Sequence, residues 1–171
     1  PGVMARFEGV GVVAATAARE LGMVGVAARA AGLELDVRQN FPYGIYRFLH
    51  VPAAIWTSGD CFARALVRKL EIAGSIEFIR KLCHSLPPGP IAVPPQPLAP
   101  EQITVSLTEG WRGEIAHVVA TDANGRFSEY QVIDPSCHNW FGLALAMREG
   151  QISDFPLCNK SFNLSYCGHD L

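Results

Sequence analysis

The chain has 171 residues, enough for one domain with a real hydrophobic core, and 49% of them are hydrophobic against 18% charged. A formal charge of −2 excludes the basic field of a nucleic-acid binder. No apolar run approaches the roughly 18 residues that a membrane span needs. The most apolar piece, 9–18, is closed by Arg19 and Glu20, and no secretory signal pattern is visible. The chain begins at Pro1 inside what reads as a continuing fold, which predicts a piece of a longer subunit. Five cysteines (Cys61, Cys83, Cys137, Cys158, Cys167) form no C-x-x-C pair. An odd, widely spaced set without a signal predicts reduced thiols and a cytoplasmic setting.

In chain order, glycines punctuate the first forty residues, and Thr16 to Leu21 and Val24 to Ala31 read as short alanine-rich helices ending at Gly22 and Gly32. Gly9-Val10-Gly11 lacks the third glycine of a nucleotide loop, because position 14 is Ala14. Close backbone packing is the plainer reading. Asp36 to Tyr46 is irregular, mixing charged and aromatic residues around Pro42. A long helix is expected from Thr57 or Ser58, either of which can cap it, to about Ser85, with Phe62, Leu66, Ala73, Ile76, Ile79 and Cys83 approximating one apolar stripe. Asp60 and Arg64 read most simply as an i,i+4 ion pair on it, and Glu77 and Lys81 as another.

Residues 86–101 hold seven of the twelve prolines and are expected to run extended, as a strap across the surface. Ile103, Val105 and Leu107 alternate with polar residues like a half-buried strand. Glu114 to Thr121 and Arg126 to Ile133 flank Asn124-Gly125, which predicts a hairpin over about 114–133 closed by a type I′ turn. Phe141 to Arg148 reads as a short helix stopped at Gly150, and the tail from Ile152 shows no period. The expected fold class is mainly α with a small antiparallel β element.

Several stretches together resemble one family. Asp36-x-Arg38-x-x-x-Pro42-Tyr43-x-x-Tyr46 and Gly59-Asp60-Cys61-x-x-Arg64 resemble a run in the hydrogenase-derived large subunit of NADH:quinone oxidoreductase (complex I). Glu109-Gly110-Trp111-Arg112-Gly113-Glu114 resembles its stretch before the hairpin, and Ser153-Asp154-x-Pro156-Leu157 resembles the approach to the metal motif of formate hydrogenlyase large subunits. The likeness is collinear over essentially the whole chain, 1–171, and implies the C-terminal part of a [NiFe]-hydrogenase-like large subunit with a helical-bundle fold. It further implies an iron–sulfur small subunit as partner, with the cluster on that partner and no cofactor in this chain. In the hydrogenases two C-x-x-C pairs hold nickel and iron; in complex I the vacated cavity takes quinone.

Anchored on Ser161, the family's C-terminal aspartate-proline-cysteine falls on Asn163, Leu164 and Ser165, and its second cysteine on Gly168. Nickel needs thiolates here, so the metal expectation is none. Cys137, His138, Cys158, Cys167 and His169 match no zinc spacing either. The resemblance places Arg112 above the former metal site, where a guanidinium can polarise a bound oxygen or quinone carbonyl. A structural ion pair with Asp36 or Glu114 is the other reading. Asp36, Arg38, Tyr43 and Tyr46 are candidates for a quinone cavity, or alternatively a salt bridge pinning a loop under aromatic caps.

By resemblance, then, the chain is expected to serve a membrane-associated redox complex, shaping an electron-acceptor site as a peripheral subunit on the cytoplasmic face of the inner membrane. A scaffold descended from a hydrogenase, and a hydrogenase with atypical ligands, are the alternatives. NADH would bind a different subunit, so NAD binding would attach to this one only by association.

Overall fold

The computed structural model describes residues 2–148 and 150–167. Four short helices come first: α1 (Gly2–Ala5), α2 (Ala15–Glu20), α3 (Gly25–Ala30) and α4 (Val37–Asn40), followed by a 3-10 turn at Gly44–Arg47. The long helix α5 spans Cys61–His84. Three strands, β1 (Ile103–Glu109), β2 (Glu114–Thr121) and β3 (Phe127–Ile133), form an antiparallel meander in the order β1-β2-β3. Helix α6 (Pro135–Ala146) and, after a 3-10 turn at Ile152–Asp154, α7 (Phe155–Phe162) complete the described elements. The mainly α class with one small antiparallel element is therefore as the sequence predicts.

Helix α5 starts later than its periodicity suggests. Asp60 is the cap, its Oδ1 accepting the Ala63 amide at 2.8 Å, and Ser58 donates its hydroxyl to Asp60 instead of capping. The carboxylate also accepts the Gly9 amide at 2.9 Å, so it is fully engaged and does not form the expected pair with Arg64. Burial follows from the same geometry. Cys61, Ala63, Arg64 and Val67 face the core, whereas the apolar stripe further along α5 is half-buried or open, with Ile79 56% exposed. The Glu77–Lys81 pair forms at 3.7 Å on the exposed surface.

The main core gathers alanines and medium side chains from α2, α3, α5, α6 and α7, including Ala18, Met23, Ala28, Cys61, Leu143, Cys158 and Phe162. Small residues let these backbones approach closely. Gly11, at φ +63°, shows why: a Cβ there would lie 2.6 Å from the Cys158 sulfur. The close packing expected of Gly9-Val10-Gly11 thus holds at Gly11, while Gly9 faces open space and takes a positive φ of +70°. Cys61 and Cys158 are buried free thiols 3.8 Å apart.

Two expectations about the β element change. Ile103 and Val105 are largely exposed, because the sheet stands away from the helical body and meets it mainly where β1 approaches α4. The turn at Asn124-Gly125 is not type I′. Only Gly125 has a positive φ (+70°), its amide donates to the Asp122 carbonyl, and Asp122 Oδ1 accepts the amides of Asn124 and Arg126. The strands meet through a short loop with glycine in the left-handed position, its path set by the Asp122 carboxylate. Residues 86–99 carry no helix or strand, and Thr121 ties Ala99 to the sheet by donating its hydroxyl at 2.7 Å.

The chain after the hairpin is more helical than its pattern suggests. Pro135 opens α6 at its first turn under an Asp134 cap, so Pro135-Ser136-Cys137-His138 is the start of a helix and not a free turn. The tail carries α7, which ends at Asn163 in the left-handed conformation that asparagine tolerates.

Candidate functional site

Arg112 sits on a tight hairpin tip. Gly110 and Gly113 exchange main-chain hydrogen bonds at 2.8 and 3.2 Å, leaving Trp111 and Arg112 as the two turn residues between β1 and β2. Alternation does not reveal this second hairpin, since Gly110 to Gly113 reads as loop on either side. Its tip is held against α3: a Cβ on Gly25 would lie 2.3 Å from the Arg112 carbonyl oxygen. Asn139 on α6, fully buried, exchanges hydrogen bonds with Val24 and reaches the Arg112 carbonyl at 3.4 Å.

The Arg112 side chain donates through Nε to the main-chain carbonyl of Asn163. It makes no ion pair with Asp36 or Glu114 among the described residues, so the ion-pair reading fails. Arg112 is thereby fastened to the loop Asn163-Leu164-Ser165, on which the resemblance places the family's aspartate-proline-cysteine. The Ser165 amide donates to Ser136 Oγ at 2.9 Å. Gly168 and His169 lie outside the described residues. No thiolate occupies 163–165, and no group of three or more His, Cys, Asp or Glu side chains among the described residues could hold a metal ion. The side chains of 163–165 offer nickel no soft ligand.

Two further arginines converge on the same end of α7. Arg64, 1% exposed, donates to Ser161 Oγ (2.9 Å) and to the carbonyls of Gly59 (2.7 Å) and Gly11 (2.9 Å), and lies over the Phe162 ring. Arg68, one turn on, donates to the carbonyls of Ser161 (2.6 Å) and Phe162 (3.1 Å). The final carbonyls of a helix lack internal partners and carry its negative dipole end; Arg68 and Arg112 supply donors to them, while Arg64 reaches the helix only through the Ser161 hydroxyl. Burial lowers the pKa of Arg64, and burial together with the charge of Arg64 lowers that of Arg68 to about 10.

The other candidates form a second cluster, centred on Arg29. Asp36 accepts Arg38 Nε (2.9 Å) and Nη2 (2.6 Å), and lies 3.8 Å from Arg29. Arg29, buried in the alanine-rich α3, grips Glu71 with two nitrogens (2.7 and 3.2 Å) and Glu109 with a third (2.8 Å). The second Glu109 oxygen accepts the Val37 amide at 3.1 Å. Burial pushes Asp36 up, but the hydrogen bond and charge of Arg38, aided by Arg29, outweigh it and hold Asp36 below the usual range. Glu109 goes the other way, because burial and the nearby Asp36 charge exceed the pull of Arg29. Tyr43 borders Thr108 and Glu109, packs edge-on against Tyr46 at 5.1 Å, and Tyr46 stacks on Phe78 of α5. A cavity of about 340 Å³ opens beside this cluster, lined by Arg29, Arg38, Glu71, Ser75, Glu109 and Trp111. Arg112 is not among its lining residues.

Sequence reasoning missed Arg29, Arg64 and Arg68 as the organising charges. The signal was present for Arg29, a guanidinium in Val26-Ala27-Ala28-Arg29-Ala30-Ala31, where only alanines leave it room. Nothing local marks Asn139 or Ser161.

The sequence pattern of the family described as respiratory-chain NADH dehydrogenase, 49 Kd subunit, matches residues 1–102. The carbon monoxide-induced hydrogenase of Rhodospirillum rubrum is 34% identical over 163 residues, covering 95% of this chain and 45% of the relative. A subunit of the F(420)H(2) dehydrogenase of Methanosarcina mazei is 37% identical over 131 residues, covering 77% of this chain and 34% of the relative. Among solved structures, a chain of the membrane-bound sulfane sulfur reductase, an archaeal respiratory membrane complex, matches 97% of this chain and 47% of its own length, at TM-score 0.89 and 26% identity. The fold and sequence thus define a hydrogenase-like large subunit. The chain belongs to the 49 Kd subunit family of the respiratory-chain NADH dehydrogenase. It spans less than half the length of these relatives.

Proposed function

We propose that the chain is part of a subunit of a membrane-associated redox complex, in which it shapes an electron-acceptor site beside an iron–sulfur small subunit. The observation that carries this reading is the fastening of Arg112 to the Asn163 carbonyl, next to a loop where, by the resemblance, Ser165 takes the place of a metal-binding cysteine. A permanently charged planar donor beside a non-metal loop suits an acceptor oxygen, such as a quinone carbonyl, better than hydride or proton chemistry. Relatives named as a hydrogenase, a dehydrogenase and a reductase of a respiratory membrane complex support the same setting. No described helix is long and apolar enough to cross a membrane, so attachment would run through partner subunits. The cytoplasmic face of the inner membrane is the side we assign.

The Asp36–Arg38 pair with Tyr43 and Tyr46 serves, in this reading, as the wall of a cavity completed by other polypeptide, and none of them acts as a covalent catalyst. Changing Arg112 to Ala in the assembled complex is expected to lower acceptor reduction at least ~tenfold without loss of assembly. Unchanged turnover would remove Arg112 from the acceptor site. A scaffold role is the second reading, favoured by the open apolar face of α5 at Ile72, Ile76 and Ile79, and by the tying-up of Asp36 and Arg38 in ion pairs.

A further inference from the structure

The three arginines gathered at the end of α7, of which Arg68 and Arg112 cap its carbonyls, meet no carboxylate within ion-pair distance among the described residues. Main-chain carbonyls and one serine hydroxyl take their hydrogen bonds, while Glu71 acts on Arg68 and Asp60 on Arg64 only from beyond ion-pair distance. Arg68 is the outermost of the two on α5. Its Nε is buried with no hydrogen-bond partner among the described residues, and its guanidinium lies 5.7 Å from the Trp111 ring centre.

Beside Arg68 opens a pocket of about 430 Å³ between α5, α7 and the hairpin tip. Phe7, Ile72, Trp111 and Leu157 give it apolar walls, while Lys69 and Lys160 join Arg68 on its lining. No carboxylate lines it. Apolar walls with three cations and no anion are complementary to a molecule with one negative head and an apolar body. A docked peptide strand would want main-chain partners. Apart from Phe7 and Trp111, the walls here are side chains of two helices whose main-chain groups are bonded internally, and no strand edge lines the pocket.

We propose that this pocket is a binding site for an anionic phospholipid, with the phosphate at Arg68, Lys69 and Lys160 and the acyl chain against Ile72, Trp111 and Leu157. The membrane setting rests on the function proposed above; the pocket's chemistry does not. A lipid bound here touches the same helix end that holds Arg112 through Asn163, and so stabilises the loop beside the acceptor site.

The test is flotation of the 171-residue chain with phosphatidylglycerol vesicles against phosphatidylcholine vesicles. A net charge of −2 gives the chain no general attraction to acidic surfaces, so a local site must supply any preference. Preferential binding to phosphatidylglycerol is expected, reduced at least ~tenfold by Lys69→Glu with Lys160→Glu and also by Ile72→Asp, at unchanged far-UV circular dichroism. Arg80→Glu with Lys81→Glu, an equal charge change at the far end of α5, should leave it intact. Equal losses in the two double variants would show bulk charge attraction and overturn the site. So would binding indifferent to Ile72→Asp, or no binding at all. Inorganic phosphate that displaces the vesicles at constant ionic strength would mean an ion site without a lipid role, which also contradicts the proposal. If the double variant misfolds, Lys160→Gln alone should weaken binding severalfold, and no change there would count against the site.

Discussion

The carbonyl oxygen of Arg112 occupies the space where a Cβ on Gly25 would stand, 2.3 Å away, and Gly25 itself lies at φ +64°. The hairpin tip that carries Arg112 is thus seated on the bare backbone at the start of α3. Replacing Gly25 with Ala forces a left-handed alanine, costing about 1–2 kcal/mol by itself, and also pushes the tip outward. We expect a stability loss of more than about 2 kcal/mol in urea unfolding of the chain. A loss below about 0.5 kcal/mol would mean the tip is not held there.

Arg29 organises the second cluster from a position only 1% exposed, with Glu71 and Glu109 bonded to it and Asp36 at 3.8 Å. Arg29→Met leaves three carboxylates around an empty centre. Breaking a buried ion pair from one side costs about 3–5 kcal/mol, and the chain should lose at least that much, seen as a lower urea midpoint. The double change Arg29→Met with Glu109→Gln should recover part of the loss. If it makes matters additively worse, the two do not form one network.

Asp60 makes stability depend on pH with a definite sign. Burial raises its pKa, but the amides of Ala63 and Gly9 and the Ser58 hydroxyl outweigh burial and hold it below the unfolded value of 3.8. Its contribution is therefore complete above that value and is lost as pH falls through the lower folded value. Glu109, shifted upward, contributes below its ordinary value of 4.5 and opposes the chain as pH rises through its folded value. Unfolding measured from about pH 5 to about pH 3 should show a smaller acid loss in Asp60→Asn than in the parent. Equal slopes would contradict the capping role.

The open stripe on the outer half of α5 distinguishes folding from assembly. Ile76→Ser with Ile79→Ser removes apolar surface that is already about half exposed, so the isolated chain should change by no more than about 0.5 kcal/mol. Recovery of the intact complex should fall severalfold in the same variant. Val67→Ala, fully buried against α3, should instead destabilise the chain by about 1.5–3 kcal/mol. Normal assembly of the isoleucine variant would remove this face as an interface.

How much of this is legible in the sequence depends on where each signal lies. The short helices before Gly22 and Gly32, the long helix and the 114–133 hairpin are carried by local pattern and appear within a few residues of their expected bounds. Asp60 reads as an ion-pair partner because its i,i+4 spacing to Arg64 is local, whereas its real partners, Gly9 and Ala63, depend on how α5 meets the first loop. The α7 helix carries Pro156 and three polar residues, Asn159, Lys160 and Ser161, among its 8 residues, and its stabilisation comes from arginines on α5 and the hairpin tip, remote in sequence. The convergence of Arg64, Arg68 and Arg112 on residues 161–163 has no local signature for the same reason. Ile103 and Val105 alternate as a buried face would, yet stand in the open, because alternation reports an apolar side and not what covers it.

The central claim, that the Asn163-Leu164-Ser165 loop serves an acceptor site and not a metal site, is tested most directly by metal content. The complex should be purified anaerobically from its native host, and nickel and iron measured by mass spectrometry. The account predicts no stoichiometric nickel, with iron confined to the clusters of the small subunit. One nickel per large subunit would contradict it and return the chain to the metal-bearing hydrogenases.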